Sequence, residues 1–127
     1  MTAYYINAQA DNFRLCRSRL LNQPADDTYE VIRIPWKGFV SDVTINMSTA
    51  FADAGATVTV GYIGNKDSDD PDYFLTSAEI DSDAAGFVVS TRPMYFADAG
   101  GAITVTCDDN GDTAGVFMIF AQLTIIH

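Results

Sequence analysis

The chain has 127 residues, of which 48% are hydrophobic and 12% aromatic, and its formal net charge is −10. This length and composition predict one domain with its own core and exclude a disordered chain. The charge is uneven, since residues 1–37 carry +1 and residues 38–127 carry −11. An acidic body repels phosphate backbones and anionic lipids, so we expect neither a nucleic acid nor a membrane as partner.

No targeting segment is evident in the sequence. Residues 1–10 lack the basic start and the apolar run of a signal peptide, and no stretch approaches the ~20 apolar residues of a membrane span. We therefore expect a protein that is not secreted. Cys16 and Cys107 are too few for a disulfide scaffold, and the alternation around Cys107 predicts a buried thiol.

The N-terminal part is the least regular in pattern. Residues 4–6 are a candidate short strand, residues 13–17 are either a strand or a turn of helix, and residues 22–27 are a polar loop. We expect residues 1–27 to form an N-terminal segment, acting as a docking arm or as an edge strand. Residues 28–127 are then the β-sandwich domain.

Period-two alternation predicts the strands that follow. Residues 28–34 form a strand that ends before Pro35, because proline lacks the N–H that a sheet needs. Residues 39–47 form another, with Phe39, Val43, Ile45 and Met47 on its core face and Val40 on the opposite face. Residues 65–72 are a long acidic loop, and residues 73–75 and 86–89 are short strands.

The chain also nearly repeats itself. Residues 51–60 (FADAGATVTV) return 45 positions later as residues 96–105 (FADAGGAITV). Each copy has a hydrophobic residue, a small turn ending in glycine and then alternating β-branched residues, which is typical of strand, turn and strand. Residues 108–112 contain Asn110-Gly111, which predicts a tight hairpin between the second copy and the last strand.

The last strand, residues 116–126, has two apolar faces. Its predicted core face carries Phe117, Ile119, Ala121, Leu123 and Ile125. The opposite face begins with Val116, Met118 and Phe120, which is too apolar for contact with water. Either the N-terminal segment covers this face or another subunit does, and both alternatives stay open. Val116, Met118 and Phe120 are therefore the candidate subunit interface.

About eight short strands and no convincing helix predict an all-β fold, a single antiparallel β-sandwich. Two similar halves favour the jelly-roll type.

No catalytic or cofactor apparatus is evident, so we expect no enzyme. His127 is the only histidine, which excludes Ser-His-Asp and Cys-His machinery and an ordinary zinc site. Acidic residues 79, 81 and 83 are better explained as solvated loop residues than as a glycosidase pair. We expect no cofactor. Calcium is the alternative, bound by carboxylates of residues 67–72 or 108–112, but neither loop matches the EF-hand pattern. Trp36 is expected to plug one end of the sandwich, with sugar binding as the alternative.

Residues 28–126 resemble small bacteriophage virion proteins of β-sandwich or jelly-roll type, such as capsid decoration (cement) proteins and head-fibre or tail modules. The segments that carry the resemblance are GFVSDVTI at 38–45, AGATVTVGY at 54–62, GAITVT at 101–106 and GVFMI at 115–119. Such families usually form trimers on an icosahedral lattice and have no catalytic residues.

The resemblance implies a non-enzymatic structural protein of the virion, made in the host cytoplasm. It favours a decoration protein that stabilises the particle as a homotrimer, with the major capsid protein or another virion protein as its partner. Arg14, Arg17 and Arg19 are the candidate docking residues toward acidic groups on a capsid subunit; alternatively, they pair with this protein's own acidic body. A carbohydrate- or receptor-binding module and a tail or neck component are the other readings.

Overall fold

The computed structural model describes residues 13–52, 55–66, 68–90, 92–108 and 114–125. Ten strands make up this part of the chain: β1 (Phe13–Arg17), β2 (Leu21–Asn22), β3 (Asp27–Ile34), β4 (Gly38–Thr49), β5 (Thr57–Asn65), β6 (Ser68–Leu75), β7 (Gly86–Ser90), β8 (Met94–Phe96), β9 (Gly101–Asp108) and β10 (Val116–Ile125). The described residues include no helix. Accordingly, they contain no helix that is long and apolar enough to cross a membrane. Residues 13–17, for which strand and helical turn were both open, form a strand.

The strands pair antiparallel in two sheets. In the first sheet β1 and β2 pair with one edge of β10, β10 pairs with β4, and β7 and β8 pair with the other edge of β4. The second sheet has the order β3-β9-β5-β6. Because β1/β2 and β7/β8 are interrupted strands, the ten segments fill eight positions. The chain changes sheet at nearly every connection, which is jelly-roll connectivity. The predicted all-β jelly-roll sandwich is confirmed.

The core lies between the inner faces of the two sheets. The predicted core face of β10 is confirmed, since all five of its residues are buried. From the second sheet, the repeated segments add Val58, Val60, Ile103 and Val105, all buried as their alternation predicts. Cys107 is buried at the end of β9, in a different sheet from Cys16, and the two cysteines are not bonded to one another. Period-two patterning alone was enough to assign these side chains to the core.

The predicted face of β4 is wrong at its beginning. Val43, Ile45 and Met47 point into the core, but Val40 is buried and Phe39 is exposed. The register explains this, because Ala121 lies opposite Val43 whereas Leu123 lies opposite Val40. The extra residue on β4 forms a β-bulge, which reverses the side-chain alternation on either side of it.

Two predicted loops also differ from the structure. The acidic segment 65–72 is not a loop, since β5 continues to Asn65 and β6 begins at Ser68. The predicted hairpin at 108–112 is wrong, because the strands on either side of it, β9 and β10, belong to different sheets. Residues 109–113 lie outside the described residues, as do residues 4–6. The Asn-Gly signal is local and does not determine which strands pair with one another.

Ser18 attaches the N-terminal strands to the rest of the sheet. It lies between β1 and β2 and is buried. Its N–H donates to the Ile119 carbonyl at 2.8 Å, and its Oγ accepts from the Ile119 N–H at 2.9 Å. The hydroxyl thus takes the place of a backbone partner where the ladder is interrupted. Residues 13–22 therefore extend the sheet beside β10.

Candidate assembly surface

The outer face of the first sheet, the side turned away from the core, is unusually apolar. Among the described residues nine large hydrophobic side chains are exposed, and the strand registers place seven of them on this side. We call these seven the apolar face: Phe13, Leu15, Phe39, Phe87, Val89, Tyr95 and Phe120. Exposed apolar surface of this kind usually marks a contact surface.

Cross-strand pairing explains how these side chains come together. Directly opposed residues of an antiparallel pair point to the same side of a sheet. Phe120 lies opposite Thr44, and Thr44 lies opposite Val89, so the three form one row across β10, β4 and β7. In a second row, Phe39 lies opposite Tyr95, with their ring centroids 4.9 Å apart. The apolar face thus spans the whole width of the sheet.

The surface of the apolar face has both projections and a depression. Leu15 on β1 is 75% exposed and Phe87 on β7 is 71% exposed, so both project toward solvent. Between the two edges is a groove of about 310 Å³, lined by Leu15, Cys16, Asp42, Thr44, Val89, Phe120, Ala121 and Gln122. The short Thr44 between Phe120 and Val89 accounts for the depression. Burial raises the pKa of the Cys16 thiol above its ordinary value, opposed by the Arg14 guanidinium, which lowers it.

The sequence-predicted interface residues lie on this same side, on the inner strand β10, but they account for only a small part of the exposed apolar surface. Phe120 is 36% exposed, whereas Val116 and Met118 are half-buried. The described part of the N-terminal segment, residues 13–22, pairs with the edge of β10 and does not cover its face. Whether residues 1–12 do so lies outside the described residues.

The candidate docking arginines do not share one surface. Arg14 and Arg17 are on β1 with opposite parity, so they point to opposite sides of the first sheet. Arg17 shares the row of Phe120, while Arg19 lines a separate groove with Glu30 of β3. All three are exposed. Within the described ranges the single ion pair joins Arg92 and Glu79, so these arginines do not pair with the described acidic residues.

The carboxylates considered for catalysis make local contacts that stabilise a loop. Glu79 forms an ion pair with Arg92 at 2.7 Å and accepts the Thr76 N–H at 3.1 Å. The hydrogen bond from Arg92 holds the pKa of Glu79 below its ordinary value. Asp81 accepts the Asp83 N–H at 3.0 Å. These are turn contacts of the kind expected for solvated acidic residues.

The first group of carboxylates considered for calcium lies on an edge strand, whereas of the second group Asp108 ends the inner strand β9 and residues 109–112 lie outside the described residues. Asp69, Asp70 and Asp72 belong to β6, while Asp67 lies outside the described residues. Asp69 accepts the Gly64 N–H at 2.9 Å. A side-chain hydrogen bond with Asp70 raises the pKa of Asp72. No three His, Cys, Asp or Glu side chains of the described ranges are grouped to hold a metal ion. Charges on an edge strand keep it from pairing with other chains.

Trp36 does not plug the end of the sandwich, and that expectation is wrong. It lies in the short turn between β3, which ends at Ile34, and β4, which begins at Gly38, and 55% of its surface is exposed. Tyr73 is the other aromatic residue considered for sugar binding. Its hydroxyl donates to the Pro93 carbonyl at 2.7 Å, and its ring packs edge-on against Tyr62 and Phe74. Tyr73 is therefore engaged within the molecule.

Sequence reasoning missed most of the apolar face. The exposed positions of β1 and β7, Leu15, Phe87 and Val89, were not identified. The signal was present in residues 86–90, where apolar side chains occupy both parities of a short strand. For Phe39 the signal was absent, because the bulge in β4 is not visible in the alternation.

The fold and this surface define a jelly-roll protein with a wide, exposed apolar sheet face. No protein-family model matches the sequence, and no curated protein is similar to it in sequence. The fold is shared with chains from capsid structures of three phages. The "Acidic stable capsid structure of Helicobacter pylori bacteriophage KHP30" contains a chain with TM-score 0.68 and 15% identity, over 89% of this chain and 87% of that one.

The other two likenesses extend over still more of the chain. A chain of the Cyanophage Pam1 capsid asymmetric unit has TM-score 0.69 and 10% identity, over 98% of this chain and 94% of that one. A chain of the capsid of Ralstonia phage GP4 has TM-score 0.67 and 12% identity, over 99% and 92%. At these identities the likeness shows a common fold.

Proposed function

We propose that this chain is a non-enzymatic structural protein of a bacteriophage virion, made in the host cytoplasm. The observation that carries the proposal is the fold it shares, over nearly its whole length, with chains in three phage capsid structures. Within that class we propose a capsid decoration (cement) protein, which binds the assembled particle and stabilises it as a homo-oligomer, with a trimer favoured. Its partner is the major capsid protein or another virion protein.

The surface chemistry supports an assembly role. A protein that binds a particle must fold alone, stay soluble and then bury a surface. The net charge of −10 supports solubility, and the apolar face offers a surface to bury. The carboxylates of Glu79 and Asp81 are engaged within the molecule, Glu79 by Arg92 and Thr76 and Asp81 by the Asp83 N–H, which is consistent with a structural role.

Docking to the particle is assigned to the basic N-terminal edge. Arg14, Arg17 and Arg19 are exposed and form no ion pair with a described acidic residue, so their guanidinium groups are available to acidic groups on a capsid subunit. Because Arg14 and Arg17 point to opposite sides of β1, the edge of the sheet is the element that docks, with arginines on both of its sides.

A particle-binding experiment tests the function. Particles of the encoding phage, assembled without this chain, are mixed with purified protein and sedimented, and bound protein and the temperature of DNA release are measured. We expect binding at defined occupancy and a higher release temperature. Replacing Arg14, Arg17 and Arg19 together by Ala should abolish binding while the protein still folds. Arg33→Ala is the matched control, since Arg33 is exposed on the second sheet.

Absence of wild-type protein from the sedimented particles would reject the decoration role. Unchanged occupancy of the triple variant would reject only the docking role of this edge, because the protein would then bind the particle through another surface.

A sugar- or receptor-binding module is the second candidate, and the exposure of Trp36 is the observation that favours it. An exposed aromatic face can stack on a pyranose ring. Because Trp36 is the only tryptophan, its intrinsic fluorescence reports directly on that site. A saturable fluorescence change on titration with host surface glycans, abolished in Trp36→Ala, would favour this function over decoration.

A further inference from the structure

We infer that the apolar face is a self-association surface and that its occupant is a second copy of this chain. The inference specifies the homo-oligomeric part of the proposed function and rests on it. It differs from the sequence-predicted interface in extent, because it includes all four positions of the first sheet, from Leu15 at one edge to Phe87 at the other.

The area of the apolar face matches what a stable interface needs. The seven side chains are 36% to 75% exposed. Since a large aromatic side chain can bury about 150–250 Å², these fractions correspond to roughly 600 Å² of apolar surface. A standard interface buries about 800 Å² on each partner, of which somewhat more than half is apolar. The face therefore supplies the apolar area of one side of a complete interface.

Charge also favours a second copy. Each chain carries −10, so two copies repel unless their contact surfaces are poor in acidic groups. The charged strand residues on this side are Arg17 on β1, which lies opposite Phe120, and Asp42 in the bulge of β4, which lines the groove. They have opposite signs, so their charges cancel and the face has no net charge that would repel a second copy.

The apolar face also carries both projecting side chains and a recess. Leu15 and Phe87 project, while the groove of about 310 Å³ above Thr44 is recessed. Both features are present on every copy, so a projecting side chain of one chain has an apolar groove to enter on the next. A second copy therefore brings both features to the contact, as an interface between identical chains requires.

Light scattering on a sizing column tests the inference with the full chain. We expect wild-type protein at tens of micromolar to have at least twice the mass of the 13.8 kDa chain. Leu15→Glu and Phe87→Glu, at opposite edges of the face, should each weaken self-association about a hundredfold or more, because each buries an unpaired carboxylate. Both side chains are mostly exposed, so we expect folding to be retained, as checked by the urea midpoint.

The matched control is Thr28→Glu, which adds the same charge on the exposed outer side of the second sheet and should leave the mass unchanged. If a Glu variant does not fold, Leu15→Ser takes its place in the light-scattering measurement. A monomeric wild-type protein would overturn the inference, and so would an oligomer whose mass neither variant changes. A wild-type protein that is monomeric but still binds particles would refute this interface and leave the particle-binding role in place. An oligomer that binds no particles would refute the particle-binding role and leave the interface in place.

Discussion

Val60 of β5 lies directly opposite Val105 of β9, and the two valines are equivalent positions of the internal repeat. The repeated segments are thus related by the local two-fold axis of an antiparallel strand pair, at the centre of the second sheet. Both side chains are fully buried on its inner side. The neighbouring equivalents follow the same relation, with Val58 opposite Cys107 and Ile103 opposite Tyr62.

This relationship predicts that truncating either valine lowers the free energy of unfolding by the same amount, and that the two effects are coupled. Val60→Ala and Val105→Ala should each lower the free energy of unfolding by about 2 kcal/mol, from lost burial and the cavity left behind. Because the two residues are directly opposed in adjacent strands, the double variant should deviate from additivity by about 0.5 kcal/mol or more. Urea unfolding measures all three. Thr59→Ala, on the outer side of β5, should cost much less, and additive costs would contradict the pairing.

Gly61 is required by the course of β6. The register shift between Val60 and Tyr62 lets the β6 backbone bend over Gly61. A Cβ there would lie 1.9 Å from the Asp70 carbonyl oxygen and 2.6 Å from the Pro71 Cα. Gly61→Ala should therefore displace β6 and lower the free energy of unfolding by about 3 kcal/mol or more.

Urea unfolding and amide exchange of β6 check the Gly61 prediction. Thr59→Ala is again the control, two residues away on the same side of the strand. Normal protection of the β6 amides in Gly61→Ala would show that the strand does not pass as closely as the structure has it.

Ser18 should contribute more than an ordinary surface serine. In Ser18→Ala the buried Ile119 N–H loses its acceptor at 2.9 Å, and a buried unpaired donor costs about 1–3 kcal/mol. We expect a lower free energy of unfolding and faster exchange of the Ile119 amide proton. Ser41→Ala is a control, since its hydroxyl makes only a 3.5 Å contact with Gln122. Equal effects of the two variants would mean that Ser18 does not connect the N-terminal strands to β10.

The Glu79–Arg92 ion pair predicts acid sensitivity. The pKa of Glu79 is lowered, first by the hydrogen bond from Arg92, so the folded state favours the carboxylate. Its stabilising contribution is present above the ordinary pKa of 4.5 and is lost as the pH falls through the lower folded-state value. Asp72 acts in the opposite direction, because a hydrogen bond with Asp70 raises its pKa and favours the protonated form.

Glu79→Gln should therefore flatten the stability profile below the ordinary pKa of 4.5, measured by urea unfolding. Arg92→Ala should have the same flattening effect, because it removes the partner that lowers the pKa. A steeper dependence of the free energy of unfolding on pH in either variant would contradict the prediction. Both residues are substantially exposed, so salt should reduce the effect.

Much of the fold followed from alternation. The inner side of β10 was predicted residue by residue and those of β5 and β9 by their alternation, because a strand that is half buried must place every second side chain in the core. The sandwich followed from many short strands without helices, and the jelly-roll type from the repeat. The N-terminal strands were less clear, since FRLCR in β1 has no regular alternation and its position depends on pairing with β10.

The candidate surface could be predicted only in part. Alternation along β10 showed that Met118 and Phe120 form a second apolar side, but it could not show that Leu15, Phe87 and Val89 lie beside them. Those residues come from strands far apart in the chain. Their juxtaposition depends on which strands pair and in which register.

The sequence by itself determined the fold class and most of the core, because period-two patterning is a local property that any half-buried strand must satisfy. The tertiary structure decided three further points. The bulge in β4 buries Val40 and exposes Phe39, the opposite of the predicted faces. The connection from β9 to β10 leads from one sheet to the other. The pairing of β1 with β10 and of β7 with β4 completes the apolar face. Each depends on contacts between segments that are distant in the chain, and the residue pattern of a single strand does not determine the free energy of those contacts.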